Sequence, residues 1–174
     1  MIVVGGLYLV GKLVRNQNTL PEVNLVAGWS TVCITMIAGN GLMGADLQVV
    51  TILLVAAAAF SAFRLYRNRQ PDGSTDIVRS LVLALPLLWL TAAMTISQWD
   101  EFTHWMPNAR DLVEHNTLPG PGSPAPTSNL PGYPHSQAFV IYLACLISGR
   151  LAENVSAVFT IVLMAVFAIM LGRM

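Results

Sequence analysis

Two carboxylates stand side by side where a long apolar run ends, in the stretch Gln98-Trp99-Asp100-Glu101-Phe102-Thr103-His104-Trp105-Met106-Pro107. Adjacent carboxylates raise each other's pKa, which suits such a pair to take a proton or to hold a cation. All three histidines of the chain, His104, His115 and His135, follow before the next apolar run. So do four of its nine acidic residues: Asp100, Glu101, Asp111 and Glu114. On one continuous helix, positions 100, 104, 111 and 115 fall within about 60° of arc. Asp100, His104, Asp111 and His115 would then share a face able to hold a divalent cation or a phosphate-bearing partner. Asp100 and His104 are the metal candidates of that face, and the cofactor is otherwise unknown. Pro107 points to another arrangement, a second short helix that turns Asp111 and His115 away from the first pair. Asp111, Glu114 and His115 then read as a solvated amphipathic face, and Trp99 and Trp105 as anchors at a membrane boundary.

The segment from Thr117 to Pro134 reads TLPGPGSPAPTSNLPGYP and contains six prolines. So many prolines exclude helix and central strand. An extended or mobile loop is expected, with the reach of a flap over a site. It closes on Gly132-Tyr133-Pro134-His135-Ser136 and enters another apolar run. Tyr133 and His135 therefore return to the membrane face from which Asp100 emerges.

The elements that must position these groups are apolar. The chain has 174 residues, 55% hydrophobic and 10% charged, and its formal net charge is zero. Mean hydropathy is +0.62. A soluble domain carries about 25% charged residues, so the composition places this chain in the membrane class. No excess of charge suggests nucleic acid as a partner; the bilayer itself is the partner implied. Cys33 and Cys145 lie inside apolar runs, without a C-x-x-C or zinc spacing, and read as small buried residues.

Five apolar segments suit helical spans: Val23 to Met43, Leu47 to Phe63, Val78 to Gln98, Ser136 to Gly149 and Val155 to Leu171. Ile2 to Val14 is short for a span and has no basic residue before it, unlike a signal peptide. It reads as a weak first span or the stub of one. The runs lack period-2 alternation, which argues against a barrel. The expected fold is all-α, a polytopic transmembrane helix bundle with five or six spans and one large outer loop. Residues 1–98 would hold the N-terminal spans, 99–134 the loop and 135–174 the C-terminal spans. A tight turn is expected at Gly39-Asn40-Gly41 with Gly44 and Asp46, a kink at Pro86 and a short connector over Arg150 to Asn154. Cytoplasmic loops are rich in Lys and Arg. With the Arg64–Arg79 loop inside, Lys12, Arg15, Arg64, Arg67, Arg69, Arg79 and Arg150 all fall inside. Arg110 falls outside, and Arg173 at the far end of the last span. The 99–134 loop and Asp46 then face the periplasm or cell exterior, as in a bacterial inner membrane protein.

A span that emerges on the outer face into W-D-E-F-x-H-W resembles the polytopic glycosyltransferases of the C superfamily. Those are relatives of the protein O-mannosyltransferases and the bacterial lipid A sugar transferases. Asp100-Glu101 match the acidic pair of the family's first large outer loop, and Tyr133-Pro134-His135 resemble its turn before the next span. The resemblance covers roughly Leu81 to Gly149. It implies transfer of a sugar from a polyprenyl-phosphate donor to an acceptor on the outer face. Asp100 would be the general base and Glu101 would orient the acceptor or a cation. His104 or Arg110 would face the departing phosphate, with Tyr133 and His135 in the same pocket. Family members have eight or more spans and several hundred residues, so the resemblance also implies an N-terminal part of a longer enzyme, or a divergent relative. The alternative class is a non-catalytic polytopic scaffold or a transporter fragment. Few ionisable groups lie mid-span, which argues against ion-coupled transport. The absence of H-E-x-x-H argues against a metal-dependent hydrolase.

Overall fold

A computed structural model of the chain describes residues 1–15, 20–68, 75–94 and 101–173. Among the described residues there is helix and no strand. The helices are α1 (Ile2–Val14), α2 (Pro21–Met36), α3 (Leu47–Asn68), α4 (Thr75–Leu83), α5 (Leu85–Ala93), α6 (Met106–His115), α7 (Ser136–Ser148) and α8 (Val155–Gly172). Two π-helical turns, Ile37–Leu42 and Glu101–Trp105, extend α2 at its end and precede α6.

Among the described residues, three helical stretches are long and apolar enough to cross a membrane: Pro21–Leu42, Leu47–Asn68 and Val155–Gly172. A fourth is available if α4 and α5, bent by 57° at their junction, count as one broken span. Pro86 explains that bend, because it lacks an N–H and its ring clashes with the carbonyl four residues earlier. The expectation of five or six spans rested also on Ile2–Val14 and on the Ser136 segment. Each is a helix of 13 residues, about 20 Å long against a hydrocarbon core of about 30 Å. Length thus sets both apart from the spans.

The chain forms two compact units. The first comprises Met1–Val32, Leu53–Ala93 and Ala157–Met174, the second Cys33–Ile52 and Met94–Ser156. Each of α2, α3 and α8 has one end in each unit.

In the first unit α1 and α2 meet at glycines. A methyl at Gly11 would overlap the Asn24 carbonyl, and one at Gly28 the Leu7 carbonyl. Small residues allow this backbone approach, which gives dispersion contact where lipid offers no hydrophobic driving force. Trp29 meets Phe159 edge to face at 5.2 Å. Two acidic residues of this unit, Glu22 and Asp76, pair with Arg173. Its Nη2 lies 3.1 Å from Oε1 of Glu22, which is 0% exposed. The same guanidinium donates to Asp76. Glu22 and Asp76 stand in the first turns of α2 and α4, where a carboxylate favours the helix dipole. Arg173, expected on the opposite side from the starts of those helices, sits against them instead.

In the second unit α6 packs along α7. Ala138, Phe139, Val140, Ile141 and Tyr142 are all 2% exposed or less. Of the turn expected over Gly39-Asn40-Gly41, Gly44 and Asp46, the first three residues are helical, and the chain reverses at Gly44, whose φ is +66°. Asn40 is buried and acts as a hub. Its amide donates to the Ala45 carbonyl (2.8 Å) and its Oδ1 accepts from the Leu118 N–H (2.7 Å). The N–H of Leu47 donates to the Asn116 carbonyl (2.9 Å), and the Tyr142 hydroxyl donates to Asn116 Oδ1 (2.9 Å). Asn116, left-handed at φ 53°, caps the end of α6. These bonds join the end of the Ile37–Leu42 turn, the start of α3, the end of α6 and the middle of α7, which are far apart in sequence.

Candidate functional site

The acidic motif opens a helical run. Glu101 begins the π-helical turn, which passes without a break into α6 because Trp105 is itself helical (φ −64°, ψ −52°). Pro107 stands in the first turn of α6. In place of a separate second helix that turns away at Pro107, α6 directly continues the preceding turn. Asp100 lies outside the described residues.

His104 is 5% exposed. Its Nδ1 is 3.0 Å from the Thr103 hydroxyl, and the two are hydrogen-bonded. The Tyr133 ring packs against it at a tilt of 50°, with ring centroids 4.8 Å apart, and meets Trp105 edge to face at 5.1 Å. The proline-rich segment therefore does return its tyrosine to the start of the helical run. Trp105 packs in this aromatic group, a role beyond that of a boundary anchor. Arg110 is exposed on α6.

The proline-rich segment is tied to the helical run at successive points. The Asn129 N–H donates to the Thr103 carbonyl (3.1 Å). The Asn108 amide donates to the Leu130 carbonyl (3.3 Å). Asp111 accepts both the backbone N–H of Thr127 (2.9 Å, at Oδ2) and its hydroxyl (2.7 Å, at Oδ1). Asp111 is 4% exposed, so the solvated face expected of it is a buried one. Glu114 on the same helix is exposed, as expected. The difference is tertiary: only Asp111 meets a donor from the returning loop.

Asn108 and His135 hold the unsatisfied polar atoms of this region. Asn108 Oδ1 and His135 Nε2 are buried without a hydrogen-bond partner among the described residues. Burial pushes the His135 imidazole below its ordinary pKa of 6.5, and the negative charge of Asp111 acts against that shift. His135 precedes α7 and its ring lies 6.0 Å from that of Phe139.

His115 Nδ1 donates to the Asp111 backbone carbonyl (3.1 Å). Asp111, His115, Thr117, Leu118 and the prolines at 119, 124 and 126 line a half-open cavity of about 10 Å³, room for about one water. Among the described residues no three His, Cys, Asp or Glu side chains converge as metal ligands do.

No family model matches this chain, and neither does any curated protein or solved structure.

Sequence reasoning singled out His104, Arg110, Tyr133 and His135, and missed Asn108, Thr127, Asn40 and Asn116. The asparagines lie among turn and capping residues, where a backbone-binding role and a long-range one look alike. Spacing did hold a signal for Asn108. It shares the helical face of His104, Asp111 and His115, at intervals of four, three and four residues.

Proposed function

We propose that the chain is a membrane glycosyltransferase, or the N-terminal part of one. It would move a sugar from a polyprenyl-phosphate donor to an acceptor at the outer face of a bacterial inner membrane. The observation that carries the reading is the join between the acidic motif and the returning loop. Glu101, which follows Asp100 in the sequence, begins a helical run in which His104 packs against Tyr133. A lipid-linked sugar phosphate has its tail in the bilayer and its reacting carbon at the interface. Carboxylates just beyond a span are where an acceptor hydroxyl would have to lose its proton.

In the proposed step Asp100 takes the proton from the acceptor hydroxyl. The acceptor oxygen bonds to the anomeric carbon as the bond from that carbon to the phosphate oxygen breaks, and polyprenyl phosphate departs. Glu101 orients the acceptor or binds a divalent cation. The departing phosphate needs positive charge nearby. Arg110 is exposed and open to it, whereas His104 is buried against Tyr133. Tyr133 and His135 complete the same region.

The rival reading is a non-catalytic scaffold or transporter fragment. It draws support from Asp111, whose two oxygens both serve to hold the loop. Transfer of a labelled sugar from a polyprenyl-phosphate donor, in membranes carrying the chain, separates the two. Transfer that disappears in Asp100→Asn, with insertion intact, supports the enzyme. Transfer retained in Asp100→Asn removes the base assigned here, and no transfer by the unsubstituted, inserted chain favours the scaffold.

A further inference from the structure

We infer that α7 does not cross the membrane, and that both of its ends lie on the face that carries α6 and the proline-rich segment. The inference is independent of the proposed activity. Its first ground is length. With 13 residues α7 is about 20 Å long, short of a hydrocarbon core of about 30 Å.

The second ground is what surrounds it. The five consecutive residues Ala138 to Tyr142 are all 2% exposed or less. At about 100° per residue, five in a row point in every direction around the helix axis. Protein therefore encloses the 138–142 stretch of α7 on all sides, while Leu146 and Ile147 in its last turn are exposed. The three long apolar helices bury only 22–28% of their windows inside the protein and leave the rest open. The apolar sequence of α7 fills a protein core, and the irregular backbone that follows is tolerable near a bilayer because it is held by protein.

The third ground is the return of the chain. Gly149, at φ +68°, ends α7. The Ala152 N–H then donates back to Cys145 Sγ (3.3 Å). The Ser156 hydroxyl donates to the Gln137 side chain (3.3 Å). The start of α8 is thereby set beside the start of α7.

The far end of α8 provides a separate check. Arg173 is paired with Glu22 and Asp76, at the starts of α2 and α4. α2 leaves that face and α3 returns to it; counted as one broken span, α4 with α5 leaves it again. If α7 crossed, α8 would end on the opposite face, away from Glu22 and Asp76. If α7 does not cross, α8 ends where Arg173 is found. Lys12, Arg15, Arg64, Arg67, Arg79 and Arg173 then share one face, and Arg110 and Arg150 the other. That division satisfies the rule that basic residues gather in the cytoplasm. Arg150 and Glu153, expected inside from the sequence, move to the face of the candidate site.

Side-specific labelling tests this in cells. Ala125→Cys, Arg150→Cys and Arg67→Cys each place a thiol at an exposed position. The unsubstituted chain is the blank for Cys33 and Cys145. A membrane-impermeant maleimide applied to intact cells is expected to treat Ala125→Cys and Arg150→Cys alike and Arg67→Cys oppositely, with all three labelled after lysis. Glu153→Cys repeats the measurement should Arg150→Cys accumulate poorly. Labelling of the 150 or 153 position together with Arg67→Cys, and opposite to Ala125→Cys, would overturn the inference.

Discussion

Asp111 and Thr127, 16 residues apart, are joined by two hydrogen bonds, one from the threonine backbone and one from its hydroxyl. A bond to a charged group contributes about 1.5–3 kcal/mol. Thr127→Val keeps the shape and the backbone bond and removes only the hydroxyl. It is expected to lower stability by about that amount in thermal unfolding in detergent. Adding it to Asp111→Ala should cost little more, because the shared partner is already gone. Additive losses would show that the two residues act separately.

Gly28 and Gly6 make a matched pair. A methyl at Gly28 overlaps the Leu7 carbonyl, whereas one at Gly6 meets nothing within 4 Å. Gly28→Ala is expected to destabilise by about 1–3 kcal/mol through overpacking. Gly6→Ala should be neutral, or stabilising by about 0.5–1 kcal/mol through helix propensity. Melting temperatures in one detergent would compare them, and equal effects would exclude close α1–α2 packing.

Arg173 neutralises a carboxylate that is 0% exposed. Removing one partner of a buried pair costs about 3–5 kcal/mol. The Arg173 side chain is 30% exposed, and solvent screening reduces the figure to roughly 2–3 kcal/mol. Arg173→Gln should therefore destabilise strongly, and Glu22→Gln in the same chain should restore part of the loss. Greater damage from the double variant than from Arg173→Gln would contradict the pairing.

His135 gives the structure a pH dependence of definite sign. Its folded pKa lies below the ordinary 6.5 because burial disfavours the charged ring. The unfolded chain then binds the proton more readily. The contribution is complete above pH 6.5 and is lost as the pH falls through the depressed folded value. The melting temperature of the wild type should drop more between pH 7.5 and 5.5 than that of His135→Gln. Parallel curves for the two proteins would assign the acid sensitivity to other groups.

Much of the architecture was legible in the sequence. Long apolar runs dictated helices, since nothing else satisfies backbone groups in lipid. Pro86 gave the bend between α4 and α5, and Pro107 the start of α6. The dense prolines kept helix out of residues 117–134. Each of these depends on neighbours within a turn or two, so the order of residues determines it.

Tertiary structure decided the rest. Whether an apolar helix faces lipid or protein is invisible in its composition, because both surroundings are equally apolar. Thus Ser136–Ser148 reads like a span and folds as a core. Whether an acidic residue is solvated or buried depends on a donor supplied from elsewhere. Asp111 acquired Thr127 and Glu22 acquired Arg173, 151 residues away, while Glu114 on the same helix as Asp111 acquired no such burial. Partners brought together only by folding set those charges, and sequence spacing carries no record of them.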